Sequence, residues 1–109
     1  MSSDYFLLTY SVKAQTGYES DIKKAEKVRN DIAKITEWDK SENNETTFMG
    51  VISANGVTEE SRKNFAKKEV ESKFLEILKE HDASKYDVII YCSMMIESAA
   101  RYFEFEISQ

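Results

Sequence analysis

The stretch Tyr86–Ile96, Tyr-Asp-Val-Ile-Ile-Tyr-Cys-Ser-Met-Met-Ile, constrains this chain more than any other. Its apolar and aromatic residues stand at odd and even positions alike, so in a strand they coat both faces, as in a strand buried between two layers. Periodicity cannot separate that from a buried helix, but Val88, Ile89, Ile90, Tyr91 and Ile96 are β-branched or aromatic types whose stiff side chains suit a pleated surface. The run is far shorter than the about 20 apolar residues of a membrane span. The sequence predicts a central β-strand.

Before it, Tyr5–Val12 alternates, with Phe6, Leu8, Tyr10 and Val12 on one side, and reads as the first strand. Thr16, three residues ahead of Glu19, fits a capping box, and Ser20 is an equal N-cap. Ile22, Ala25, Val28, Ile32 and Ile35 then draw one apolar stripe along a helix running to about Lys34. Trp38 and the turn-forming Ser41-Glu-Asn-Asn-Glu45 lead into Thr46–Ala54, where Phe48, Gly50 and Ile52 share a face. Strands two and three are thus expected as a hairpin, Gly50 marking a bulge or a close helix approach.

Thr58 is placed to cap a second helix whose stripe is Ala66, Val70, Phe74, Ile77 and His81, widened by Leu78. The tail Arg101–Ile107 alternates, with Phe103, Phe105 and Ile107 on one side of a half-exposed strand. Between it and the central strand, Glu97-Ser-Ala-Ala100 has no glycine or asparagine to fix a tight hairpin. A turn and a bend leading into a second sheet are equal expectations there.

Strand, helix, two strands, helix, strand is the element order of a ferredoxin-like βαββαβ sandwich, an α+β fold with two helices on one face of an antiparallel sheet. Here it carries an additional C-terminal strand. With 109 residues, no proline and three glycines, the chain has room for a single domain, 1–109, of compactly joined elements. Helices on one face leave the other face of an apolar central strand wet, so a homodimer is expected, with sheet faces stacked or terminal strands exchanged. The interface candidates are Ile89, Tyr91, Met95, Phe103 and Phe105.

The net charge of −5 sets the chain against nucleic acid and anionic membranes, which reward positive fields. Tyr102 and Phe103-Glu-Phe105 could stack on bases, yet Glu104 and Glu106 repel phosphates, and core packing accounts for the aromatics better. Cys92 is the only cysteine and His81 the only histidine, which rules out an intramolecular disulfide, a two-histidine site and the usual structural zinc site within one chain. Catalytic residues are unknown, His81 being the one weak candidate; it falls near a helix end, where an imidazolium complements the dipole. No carboxylate spacing singles out a metal pair, and neither a glycine-rich phosphate loop nor a Gly-x-Ser-x-Gly elbow occurs. Neither metal nor cofactor is expected. The opening Met1-Ser-Ser-Asp-Tyr5 shows no secretory pattern, and a cytoplasmic location is the expectation.

The layout resembles the small ferredoxin-like endoribonucleases of the GhoS antitoxin family and, more distantly, the small CRISPR-associated nuclease that shares their fold. The likeness is one of size, element order and an opening strand Leu7-Leu-Thr-Tyr-Ser-Val12, followed by a hairpin, a helix and a hydrophobic terminal strand with an aromatic tail. It covers most of the chain and rests on no specific motif. The CRISPR-associated members carry an aspartate directly after the tyrosine that ends strand one, to hold a divalent metal; this chain has Ser11 after Tyr10. From its residues the chain is expected to be a dimeric regulatory or protein-binding domain without a catalytic site. The resemblance implies the alternative, an endoribonuclease antitoxin acting on RNA.

Overall fold

Twelve residues of strict alternation build the longest strand, β1 (Ser3–Ala14), and the sheet assembles on both sides of it. The computed structural model describes residues 3–109. After β1 come α1 (Glu19–Ile32), β2 (Asp39–Lys40), β3 (Thr47–Ser53), α2 (Glu59–Glu80), β4 (Val88–Ile96) and β5 (Phe103–Ile107). The strands form one antiparallel sheet in the order β2-β3-β1-β4-β5. The protein is therefore α+β, with two helices and a five-stranded sheet, compatible with a ferredoxin-like layout. No helix among the described residues is long and apolar enough to cross a membrane.

Register decides what each face holds. Leu8 lies opposite Phe48 on one side and Met94 on the other, and Met94 lies opposite Phe103, so all four share a face. That face is closed by Ala25, Val28 and Ile32 of α1 and by Ala66, Val70, Phe74 and Leu78 of α2, with Phe48, Phe74 and Leu8 wholly buried. Tyr10 stacks on Phe48 with ring centroids 5.7 Å apart, and Phe74 meets Tyr10 edge-on at 5.6 Å. Trp38, just ahead of the two-residue β2, closes the cluster edge-on to Phe6 at 5.3 Å. Gly50, opposite Phe6, has a φ of +148°, a backbone that excludes a side chain, and the Phe6 ring and the Trp38 backbone occupy the space beside it.

Several expectations are corrected. The middle strand is β1, while the Val88–Ile96 run is the internal strand beside it, and Tyr86 is exposed outside that strand. Apolar residues line both faces of the run as expected, but only one face lies under a second layer. Val88, Ile90, Cys92, Met94 and Ile96 are buried under the helices, whereas Ile89 and Ser93 are half-buried and Tyr91 and Met95 exposed on the far face.

The Thr16–Glu19 capping box does not form, nor does Ser20 cap: α1 begins at Glu19 behind Tyr18, which makes no side-chain cap. The Thr16 hydroxyl instead donates to the buried carboxylate of Asp21. Asp21 thereby takes the inward position at the start of the helix and turns Ile22 out, 49% exposed. α1 stops at Ile32, two residues short of Lys34.

At α2 the expected cap holds. Thr58 accepts from the Ser61 amide at 3.0 Å while the Ser61 hydroxyl accepts from the Thr58 amide at 3.1 Å. The open question at Glu97–Ala100 resolves as a turn, because β5 returns antiparallel to β4 in the same sheet. A polar network replaces the missing glycine. The buried Asp4 carboxylate accepts from the Ser98 amide at 2.8 Å and from its hydroxyl, Arg62 donates to that hydroxyl at 2.9 Å and to the Ser98 carbonyl at 3.0 Å, and Glu59 accepts from the Ala100 amide at 3.0 Å.

Candidate functional site

Two places in the molecule gather side chains that the fold itself does not consume: the uncovered face of the sheet and the seam where the helices meet. On the uncovered face, alternation brings up Tyr5, Leu7, Thr9, Ser11 and Lys13 from β1, Thr47, Met49 and Val51 from β3, and Ile89, Tyr91, Ser93 and Met95 from β4. Leu7 lies between Met49 and Met95, and Tyr5 lies opposite Val51, which makes one end of the face apolar. Tyr5, Val51 and Met95 are each at least half exposed. Toward the other end Thr9 lies between Thr47 and Ser93, and Ser11 lies opposite Tyr91.

Beyond β4 the face turns acidic. Glu104 and Glu106 of β5 lie opposite Ser93 and Tyr91, and the Ser93 hydroxyl donates to Glu104 at 3.2 Å. These residues line a shallow concavity of about 530 Å³ between β1, β4 and β5. A second one, of about 400 Å³, lies at the apolar end beside Tyr5, Leu7 and Met95. On the three central strands, among the described residues, the only charged side chain on this face is Lys13, whose amino group sits 5.6 Å above the Tyr91 ring. In a chain with 32% charged residues, that exclusion sets the face apart from the rest of the surface.

The sequence-predicted interface residues divide between the two faces. Ile89, Tyr91 and Met95 stand on the uncovered one. Phe103 and Phe105 turn to the helix side, stacked with centroids 5.8 Å apart beneath the amino groups of Lys63 and Lys67 of α2. Tyr5, Leu7, Met49 and Val51 are not among the predicted interface residues, although alternation puts them on the second face of β1 and β3 and that face carries apolar residues too.

At the seam, His81 is the C-cap of α2, and its Nε2 lies 2.6 Å from Asp31 Oδ2 on α1. Glu80 brings a third donor, and one ligand atom from each of Asp31, Glu80 and His81 lies within 4.8 Å of the other two. The hydrogen bond from His81 is the main cause that holds the Asp31 carboxyl below its ordinary range, with Lys34 at 3.6 Å adding to it. Fifty residues separate Asp31 from His81, so no local spacing could disclose the cluster. Cys92 is buried on the helix side, and desolvation pushes its thiol up to about 12, leaving it a packing group rather than a nucleophile. No protein-family model, curated protein or solved structure matches the chain.

Proposed function

We propose that the protein is a binding domain without a catalytic site, built as a ferredoxin-like sandwich with an added terminal strand, that works in the cytoplasm and pairs with a second copy of itself through the uncovered sheet face. The observation that carries this reading is that the three central strands bring a single charged side chain among the described residues, Lys13, to that face, together with the exposed cluster of Tyr5, Leu7, Met49, Val51 and Met95. Exposed apolar patches of this kind are costly in a monomer and ordinary in an interface. Size supports it as well. β1 spans about 40 Å at roughly 3.3 Å per residue, and five strands about 4.8 Å apart give a width near 20 Å. Because the other strands are shorter, the face comes to about 550 Å², and two copies together bury about 1,100 Å², just above the roughly 1,000 Å² that a biological interface clears.

Sedimentation velocity at micromolar concentration tests the proposal. The wild-type chain is expected to sediment as a dimer, and Leu7→Glu, which sets a carboxylate at the centre of the apolar cluster, as a folded monomer. A wild-type monomer at that concentration would overturn the pairing. The rival reading, an RNA-cleaving antitoxin, draws on the element order alone, while Glu104 and Glu106 would repel phosphates at the concavity beside them. Incubation with total RNA, with and without Mg²⁺ or Mn²⁺, decides between them: cleavage that His81→Ala abolishes would favour the rival.

A further inference from the structure

The seam between the helices brings two carboxylates to helix C-termini, the end of a helix that favours cations. Asp31 is the penultimate residue of α1 and Glu80 the last of α2, so both carboxylates sit at helix C-termini, whose exposed carbonyls already carry negative partial charge. Lys34 approaches Asp31 to 3.6 Å, but Glu80 has no ion-pair partner among the described residues. A cation held between the three donors would complement both helix ends and give Glu80 a partner.

We propose that Asp31, Glu80 and His81 form a binding site for a first-row divalent metal ion, with Zn²⁺ preferred over Mg²⁺ and Ca²⁺. Zn²⁺ bonds of about 2.0–2.2 Å place ligand atoms roughly 3 to 3.5 Å apart. From a cluster already within 4.8 Å, that geometry needs only a modest swing of the exposed Glu80 side chain. The His81–Asp31 contact is poised for the exchange: the ion takes the place of the proton between Nε2 and Oδ2, and the pair opens from 2.6 Å by less than about 1 Å. One imidazole with two carboxylates selects Zn²⁺ or its neighbours, whereas Mg²⁺ and Ca²⁺ favour all-oxygen sites. Three protein ligands leave a coordination position for water. The ion would tie the end of α1 to the end of α2, where His81 meets Asp31.

The single histidine supplies the readout, because its imidazole resonances are unique in the NMR spectrum. Full-length protein stripped with EDTA is titrated with ZnCl₂. The His81 signals are expected to shift saturably at one equivalent and to stay unmoved with MgCl₂. Loss of an outer partner alone costs ten- to a hundredfold in affinity, so Asp31→Asn and Glu80→Gln are each expected to weaken Zn²⁺ binding by at least about tenfold. Asp31→Asn also breaks the His81 contact, so Glu80→Gln is the cleaner variant. Its thermal midpoint in EDTA should lie at or slightly above wild type, because the substitution removes an unpaired carboxylate from a helix C-terminus. His81 signals that ignore Zn²⁺, or an unchanged affinity in Glu80→Gln, would overturn the site.

Discussion

The two faces of the sheet are made by the same strands and have opposite fates. Along β1, Phe6, Leu8, Tyr10 and Val12 point under the helices and are almost wholly buried, while Tyr5, Leu7, Thr9 and Ser11 point away. β4 repeats the division, with Val88, Ile90, Cys92, Met94 and Ile96 against Ile89, Tyr91, Ser93 and Met95. The covered face is large, apolar and continuous. The uncovered one is apolar at one end and hydroxylated toward the other, with charge kept to its rim. Hydrophobic types alone therefore do not make a core; what makes one is a second layer that reaches them.

The sharpest way to break this comparison is to truncate one large residue on each side. Phe74→Ala, in the ring cluster with Tyr10 and Trp38, is expected to cost about 3–5 kcal/mol in urea denaturation. Met95→Ala on the uncovered face should cost under about 0.5 kcal/mol when the chain is diluted to monomer. Equal losses would show that the uncovered face is as fully packed as the core.

A smaller effect is expected at the polar end of the covered side. Asp4→Ala leaves the Ser98 amide without its acceptor inside the fold and should destabilise by about 1–3 kcal/mol, again by urea denaturation. Thermal melting should show whether the β4–β5 turn loosens with it.

The smallest effect concerns Asp87, whose carboxyl is held below its ordinary range chiefly by the hydrogen bond from Lys24 at 3.1 Å, then by the Ser84 amide. Because its folded value lies below its unfolded one, the stability it contributes is fully present above the unfolded value of about 3.9 and is lost as pH falls through the folded value. The thermal midpoint of Asp87→Asn is expected to lie slightly below wild type at pH 7 and to converge with it below about pH 4. A constant gap across that range would assign the difference to packing.

Much of the secondary structure was legible because it follows from local spacing. The stripe Ala66, Val70, Phe74 and Leu78 and the Thr58 cap lie in one stretch of chain, and propensity and tertiary packing agree there. At α1 they conflict. Thr16 finds a better partner in Asp21 than in the first-turn amides, so the cap expected from spacing is not the one that forms. The turn at Glu97–Ala100 was illegible for a similar reason, since Asp4 and Arg62, which fix it, lie far away in sequence.

By itself the sequence determined which segments become strands and helices and which residues are apolar, because those properties are settled within a few residues by period and side-chain shape. Tertiary structure decided which of two apolar strand faces is covered, which strand stands in the middle, and that Asp31, Glu80 and His81 meet. The reason is physical. Register and helix placement set distances between residues about forty or more positions apart, and no local pattern carries that information.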